Sequence, residues 1–504
     1  MLAKEGAVAH RTAVLAYVLV VVIVWAVLPA LLQTVPHADN IEQLNWAHSL
    51  EWGYIKHPPL PTWVLRSALA LFPPSALLTY SLAMACAGAS LLLLWRCARQ
   101  ILDERSALLV LLFSSLDYYL MGRGSFLNHN TVMLPFVAAS AWCVLRILQG
   151  ANGSLWLLLG VVQALGLLTK YQMGVIILAN ALCLLALGAW RQPHFVRHAS
   201  VGTLATMLPL LPHALWLRQH DFSTFSYAGH SLLASLPLLE RVQHTLGFSV
   251  QQLGRLAPAV LALALALAWE RRSPPNRGGT DTPATPDRAS LRALAILALV
   301  PPATVLALCL FAGVAPQNHW GASTTLLLPF LAIATLPSAR RPAVVVALWA
   351  AILLQVLAVT WNIVAAQRNP GFHHTFAARA LADIALAKWQ RSTGGELAIV
   401  VGPDWEAGSI SLELPSHPAV LGSGDRRQAP WIDDERIRQC GAMLFWRPEE
   451  PIASQLGSEF SARMQSPEIM HASGPQGTIS ALGMAILPPQ ASGCNAAPGS
   501  ATRP

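Results

Sequence analysis

Residues 37–63, HADNIEQLNWAHSLEWGYIKHPPLPTW, place carboxylates, imidazoles and an amine within one polar stretch. Asp39 and Glu42 come first, at the exit of an apolar block. A stretch with helical spacing leads to Gly53–Tyr54, then Lys56–His57, then Pro58–Pro59. The two prolines force an extended, rigid exit. A loop built this way holds an acid and a base at fixed positions against a membrane surface, as proton abstraction from an acceptor hydroxyl requires. The competing reading is an interfacial helix, with Trp46, Trp52 and Trp63 as an aromatic belt and the charges solvated.

The elements that must position this loop are membrane helices. The chain has 504 residues, 54% of them hydrophobic and only 12% charged, with a mean hydropathy of +0.48. A soluble domain carries about 25% charge, so an ordinary soluble enzyme is excluded. The apolar residues fall into blocks long enough to cross about 30 Å of hydrocarbon. They lack the alternation of a transmembrane barrel, so the spans are helical. About eleven helices are expected, near 13–33, 75–95, 106–121, 130–149, 155–170, 172–190, 200–217, 255–270, 291–313, 321–337 and 343–365. The first follows Lys4 and Arg11 like a signal peptide, but its length and the many later spans mark it as a retained helix.

The net charge of +8 is explained by orientation and implies no nucleic acid. Arg96, Arg99 and Arg105, then Arg146, then Arg191 and Arg197, then Arg271, Arg272, Arg277 and Arg288, then Arg340 and Arg341 all fall on one side, the cytoplasm. Residues 273–290 read as a flexible cytoplasmic spacer. The opposite gaps, 34–74, 121–130, Lys170–Tyr171, 218–254 and 314–320, carry His, Trp, Asn and Tyr instead.

After residue 365 the composition becomes ordinary, and an odd number of spans places the tail, 366–504, outside the cytoplasm. Helical periodicity over 376–392 and apolar runs at 397–402 and 442–446 predict a small α/β domain. Cys440 and Cys494 lie here, where oxidation is permitted, and are candidates to pair. Cys86, Cys97, Cys143, Cys183 and Cys309 sit in or beside apolar blocks as small buried hydrophobes. No cysteine spacing suggests a metal.

The run Asp39-x12-Trp52-Gly53-Tyr54-x2-His57-Pro58-Pro59-Leu60 resembles the first external loop of the protein O-mannosyltransferases and lipid A aminoarabinose transferases. These are GT-C glycosyltransferases that use polyprenyl-phosphate sugar donors. Further pieces follow in the family's order: GSFLNHNTVMLPF (124–136), GLLTKYQ (166–172), Pro212, Trp216, His220 and Asp221 leading into FSTFSY (222–227), and NHWGAS (318–323). The likeness covers most of residues 13–365. It implies a polytopic α-helical GT-C-like body at 1–365 in a bacterial inner membrane, with the N-terminus cytoplasmic and the α/β tail periplasmic.

The resemblance makes Asp39 the acceptor-orienting group or catalytic base. Two departures remove a carboxylate: Asn40 stands where the family commonly has an acid, with Glu42 two residues later, and Asn130 replaces a second acid. The donor phosphate calls for cations, because its charge grows as the glycosidic bond breaks. Lys56, His57, Arg123, Lys170 with Tyr171, and Arg218 are the candidates; Lys170 otherwise reads as a lysine snorkelling to the interface. Asn40, Glu42, Tyr54, Asn130, Asn318, His319 and Trp320 are the candidate sugar or acceptor contacts, while His129 reads as a solvated helix cap. A divalent metal is left open. The implied activity is transfer of a sugar to lipid A, a polysaccharide or a protein at the periplasmic face. A flippase for a lipid-linked substrate and an inactive lipid-binding relative are the alternatives.

Overall fold

The structure is a computed structural model describing residues 2–150, 153–229, 236–272, 286–336, 341–450, 458–490 and residue 494. It opens with α1 (Leu2–Leu32), followed by two short helices, α2 (Ala38–Trp46) and α3 (Leu60–Leu69), lying between the first and second apolar spans. Then come α4 (Ala76–Ala98), α5 (Glu104–Ser114), α6 (His129–Leu148), α7 (Gly153–Thr169), α8 (Met173–Ala186), α9 (Phe195–Met207) and α10 (Leu211–Gln219). The helical part is completed by α11 (Ser223–Gly229), α12 (Leu238–Arg272), α13 (Arg288–Ala312), α14 (Gly321–Thr324), α15 (Leu328–Ala334) and α16 (Arg341–Arg368).

Among the described residues, seven helical segments are long and apolar enough to cross a membrane, while α7 and α8 are shorter apolar helices. This is a polytopic helical membrane protein of seven to nine apolar helices, against the eleven blocks read from hydropathy. Two blocks differ for local reasons. The block at 106–121 stops at Ser114, because Asp117 is buried and pairs with Arg255 of α12 at 3.2 Å. An ion pair drawn from two helices turns the chain where apolarity alone predicts continuation. The block at 321–337 is split, with Pro329 in the first turn of the second piece. The expected spacer at 273–290 falls mostly outside the described residues.

Small residues set the contact between α7 and α9. A Cβ on Gly160 of α7 would lie 2.2 Å from the Gly202 carbonyl oxygen of α9. Only glycine allows that approach. Cys97, Cys143, Cys183 and Cys309 are buried and outside any disulfide, as expected of small hydrophobes, and Cys86 is partly buried.

The tail forms a mixed α/β domain. After α17 (Phe372–Thr375) and α18 (Ala378–Thr393) come β1 (Ile399–Gly402), α19 (Asp404–Glu413), β2 (Ala419–Gly422), α20 (Asp434–Cys440), β3 (Ala442–Trp446), α21 (Ser458–Arg463), β4 (Gln465–Ser473) and β5 (Ile479–Leu487). The sheet order is β2-β1-β3-β5-β4, with β2, β1 and β3 parallel and β5 and β4 antiparallel. The parallel strands are wholly buried because helices cover both faces. Val400 packs toward α18 and α19, and its neighbours Ile399 and Val401 toward α20.

This domain is fastened over the loop that follows α1. Trp405 Nε1 donates to the Pro36 carbonyl at 2.9 Å, His374 Nδ1 to the Leu32 carbonyl at 2.7 Å, and Asn45 Nδ2 to the Asp404 carbonyl at 3.2 Å. Cys440 and Cys494 are disulfide-bonded across 54 residues. A loop of that length implies about 4 kcal/mol of chain-entropy stabilisation. Replacing both cysteines by serine should lower the thermal midpoint of the tail domain, followed by limited proteolysis, by several degrees; an unchanged midpoint would show that the bond contributes nothing.

Candidate active site

The site is organised by the first turn of α6. Asn128 is the N-cap: its Oδ1 accepts from the backbone N–H groups of Asn130 at 2.9 Å and Thr131 at 3.0 Å. With its oxygen committed to the helix, its Nδ2 is directed outward and donates to Asp39 Oδ2 at 2.7 Å. Asn130 Oδ1 accepts from Lys170 Nζ at 2.6 Å. Between them His129 is buried, with Nε2 3.3 Å from the Pro58 carbonyl oxygen. A carbonyl only accepts, so Nε2 carries the proton. Three consecutive residues thus fix the carboxylate, the rigid proline exit and the lysine.

Asp39 lies in the first turn of α2, where the free backbone N–H groups favour a carboxylate. One turn on, Glu42 pairs with Lys56. Burial pushes the Glu42 carboxyl up to about 7, opposed by Lys56. Lys170 sits in the turn between α7 and α8. No carboxylate among the described residues lies within ion-pairing distance of it, and burial brings its ammonium down to about 7, opposed by Asp39. Its Nζ stands 6.0 Å from the Trp320 ring.

Tyr171 is held by a directed chain. His213 Nδ1 donates to the Trp52 carbonyl at 2.6 Å, so in the neutral ring Nε2 accepts from the Tyr171 hydroxyl at 2.8 Å. Thr224 Oγ1 lies 3.0 Å from the same hydroxyl. Gln172 donates to the Trp320 carbonyl at 2.8 Å, tying this turn to the polar turn 318–320.

These groups face one cavity of about 1150 Å³. Its membrane-body lining includes Lys170, Tyr171, Arg123, His319 and Trp320, together with Asp39, Glu42, Lys56 and His57. Its lining from the tail domain includes Asp404, Trp405, Gln428 and Trp431. Burial and the neighbouring Lys170 and Arg123 bring His319 down to about 3, and burial beside His129 lowers His57. Both rings are neutral at physiological pH, so His57 offers a phosphate hydrogen bonds and no charge.

Asn130 reaches the same cavity. The remaining expected contacts do not. Asn40 is fully buried behind α2, donating to Thr79 Oγ1 at 2.9 Å and to the Ser125 carbonyl at 3.2 Å. Tyr54 is buried, stacked on Trp46 at 4.9 Å, with its hydroxyl donating to the Ser49 carbonyl at 2.8 Å. Asn318 lines an adjoining cavity of about 590 Å³, which Arg123 and His319 also reach. Arg218 is exposed on α10, outside the lining of either cavity. His129 is a buried structural group and not a solvated cap; the cap is Asn128. An Asn just before an apolar run is a recognised helix-start signal, available in the sequence. Trp46 is buried in the cavity wall, which removes it from any aromatic belt, whereas Trp52 is half exposed. Among the described residues no three His, Cys, Asp or Glu side chains are grouped to hold a metal ion.

The α6 cap generates a paired test. Asn128→Ala should destabilise the protein by about 1 kcal/mol through the lost cap, read as a lower thermal midpoint in detergent. Asn128→Ser, which keeps a capping oxygen but has no amide to reach Asp39, should retain most of that stability. Equal losses in both variants would separate the cap from the Asn128 contacts described here.

Residues 56–216 match the family model described as dolichyl-phosphate-mannose-protein mannosyltransferase. A segment of 233 residues, 46% of this chain, is 23% identical to the lipid A galacturonosyltransferase RgtD of Rhizobium johnstonii. It spans about half of that protein's length, 48%. The structure of ArnT from Cupriavidus metallidurans bound to undecaprenyl phosphate superposes with a TM-score of 0.60, over 94% of this chain and 97% of that one, at 13% identity. Its apo state gives 0.57 over 96% and 98%, at 14% identity. Identities this low establish a shared fold; the family match begins at Lys56 and so takes in Lys56–His57 and Lys170–Tyr171 but not Asp39.

Proposed function

We propose that this chain, a GT-C glycosyltransferase of the protein mannosyltransferase and ArnT type, transfers a sugar from a polyprenyl phosphate to an acceptor at the periplasmic face of a bacterial inner membrane. The observation that carries this reading is the pairing, through one helix turn, of a carboxylate and a lysine with no carboxylate partner among the described residues, both lining a single cavity. The basic gaps favour an N-terminus in the cytoplasm and a tail domain in the periplasm. Residues 1–365 form the membrane body and 366–504 its periplasmic cap. The comparisons support a lipid-linked donor through the undecaprenyl phosphate bound to ArnT, and a lipid A acceptor through RgtD. A polysaccharide or protein hydroxyl fits the same chemistry.

In this mechanism Asp39 orients the acceptor nucleophile and takes its proton where the nucleophile is a hydroxyl. The nucleophile attacks the anomeric carbon from the face opposite the lipid phosphate. The bond from that carbon to the phosphate oxygen breaks, and both its electrons leave with the phosphate, giving inversion. Lys170 and Arg123 receive the growing negative charge, with His57, Tyr171 and His319 offering hydrogen bonds. Asn130 gains a purpose here: an aspartate in its place would neutralise Lys170, whereas an amide holds the ammonium and leaves its charge for the phosphate.

Transfer of radiolabelled sugar into membrane lipids and polymers from a panel of polyprenyl-phosphate donors tests the reading at matched membrane levels. Asp39→Asn should lower kcat/KM roughly a hundred-fold or more, and Lys170→Ala should raise the donor KM. No transfer from any donor, with donor binding retained, would sink the enzyme reading and leave a lipid-binding or transport role. Lys170 is charged below its pKa, so donor kcat/KM should fall as pH rises through about 7. Lys170→Arg, which stays charged, should flatten that limb; an identical profile in the variant would exclude Lys170 as its source.

A further inference from the structure

The cavity wall supplied by the tail domain is as ordered as the wall around Asp39. β2, β1 and β3 run parallel, so their carboxyl ends share one edge of the sheet. In parallel α/β sheets that edge is where ligands settle. Here it opens onto the cavity: Asp404 follows the end of β1 as the first residue of α19, Gly422 ends β2, and Gln428 and Trp431 follow β2.

Asp404 is held in a prepared position. With its amide nitrogen toward the carboxylate, Gln428 donates to both Asp404 oxygens at 3.1 Å. A Cβ at residue 422 would lie 1.5 Å from Asp404 Oδ1, so glycine is what makes room for the carboxylate. Asn45 of α2 grips the Asp404 carbonyl, which fixes this edge to the membrane body. Trp431 stands edge-on to Tyr54 at 6.3 Å, and its indole Nε1 is buried with no hydrogen-bond partner among the described residues.

The two sides of the cavity differ in charge. Lys170 and Arg123 stand near His319. Asp404 and Glu42 instead share the neighbouring ammonium of Lys56, so carboxylates outnumber it there. A phosphate belongs with the first group and is repelled by the second. What suits the second is a polyhydroxylated group without negative charge: adjacent carboxylate and amide groups accept and donate to neighbouring hydroxyls, and an indole covers the apolar face of a pyranose ring.

We propose that Asp404, Gln428 and Trp431 form a glycosyl-binding subsite in the tail domain, selective for a neutral or amino-bearing sugar over a uronic acid. The subsite rests on the glycosyltransferase reading and deepens it, since the ring it holds belongs either to the donor or to the acceptor. Selectivity follows from like charge, because a sugar carboxylate set against Asp404 meets repulsion in a partly desolvated space.

The test uses the purified full chain in nanodiscs. Affinities are measured for undecaprenyl phosphate, for the same lipid phosphate bearing a neutral hexose or a hexuronic acid, and for a glucosamine disaccharide as acceptor probe. A donor-side subsite predicts that the neutral hexose tightens binding over the bare lipid phosphate. Asp404→Asn and Gln428→Ala should then erase roughly ten-fold of that gain, the scale of a lost charge-assisted hydrogen bond, and leave the bare lipid phosphate unaffected. An acceptor-side subsite predicts the same loss for the disaccharide alone. With a donor-side subsite, Asp404→Asn should also narrow the preference against uronic acid. The proposal fails if both variants, at wild-type thermal stability, bind every sugar-bearing probe as the wild type does, or if the wild type prefers the uronic acid. Sugar-dependent binding that persists without transfer would instead overturn the catalytic reading and leave the subsite standing.

Discussion

The first turn of α6 is the constraint on which the rest of the site depends. A helix start leaves backbone N–H groups without partners, and Asn128 satisfies two of them. That ordinary requirement fixes the direction of its own amide nitrogen, and so the position of Asp39. His129 and Asn130 extend the same arrangement to Pro58 and Lys170. Groups from three separate stretches of chain are thereby referred to one rigid element. Geometry of this kind is what catalysis by positioning requires, since small errors in placement are expensive in rate.

The apolar body and the tail domain serve that arrangement in different ways. Buried Gly160 and Gly202 bring α9 close to α7, the helix that leads into Lys170. The Asp117–Arg255 pair, with Arg255 also donating to the Gly321 carbonyl at 3.1 Å, ties α12 to the start of α14, beside Trp320. The tail domain closes the remaining side through α19 and the loop after β2. Both walls rest on directional polar contacts, while the bulk of the protein rests on apolar packing.

Much of this was legible in the residues. The first loop announced itself by placing Asp39, Glu42, Lys56 and His57 between spans, and Lys170–Tyr171 stood out as a cation ending an apolar run. In the tail, 442–446 formed a strand over its full predicted length, 397–402 formed one at its end, 399–402, and the two cysteines are joined. The number of spans was less legible, because hydropathy does not register a buried ion pair such as Asp117–Arg255 or the break before Pro329. The burial of His129 is set by its neighbours and not by its own type, so nothing local in the sequence marks it. Nothing local marked Asp404, Gln428 or Trp431, whose place in the cavity exists only once distant segments meet. Asn130 was read as a missing carboxylate when its partner, forty residues away, gives it a different meaning.

The contact between Trp405 and Pro36 joins residues 369 positions apart. During synthesis the membrane helices are made first, and the carboxylate wall around Asp39 then stands open to water. It is enclosed only after the tail has assembled its sheet, whose inner strand β5 is the last strand made. A chain interrupted before that point carries Asp39 and Lys170 but not the tail's part of the lining. Enclosure of the cavity is therefore coupled to completion of the tail's fold, and a stalled or truncated copy carries the membrane helices without an enclosed site.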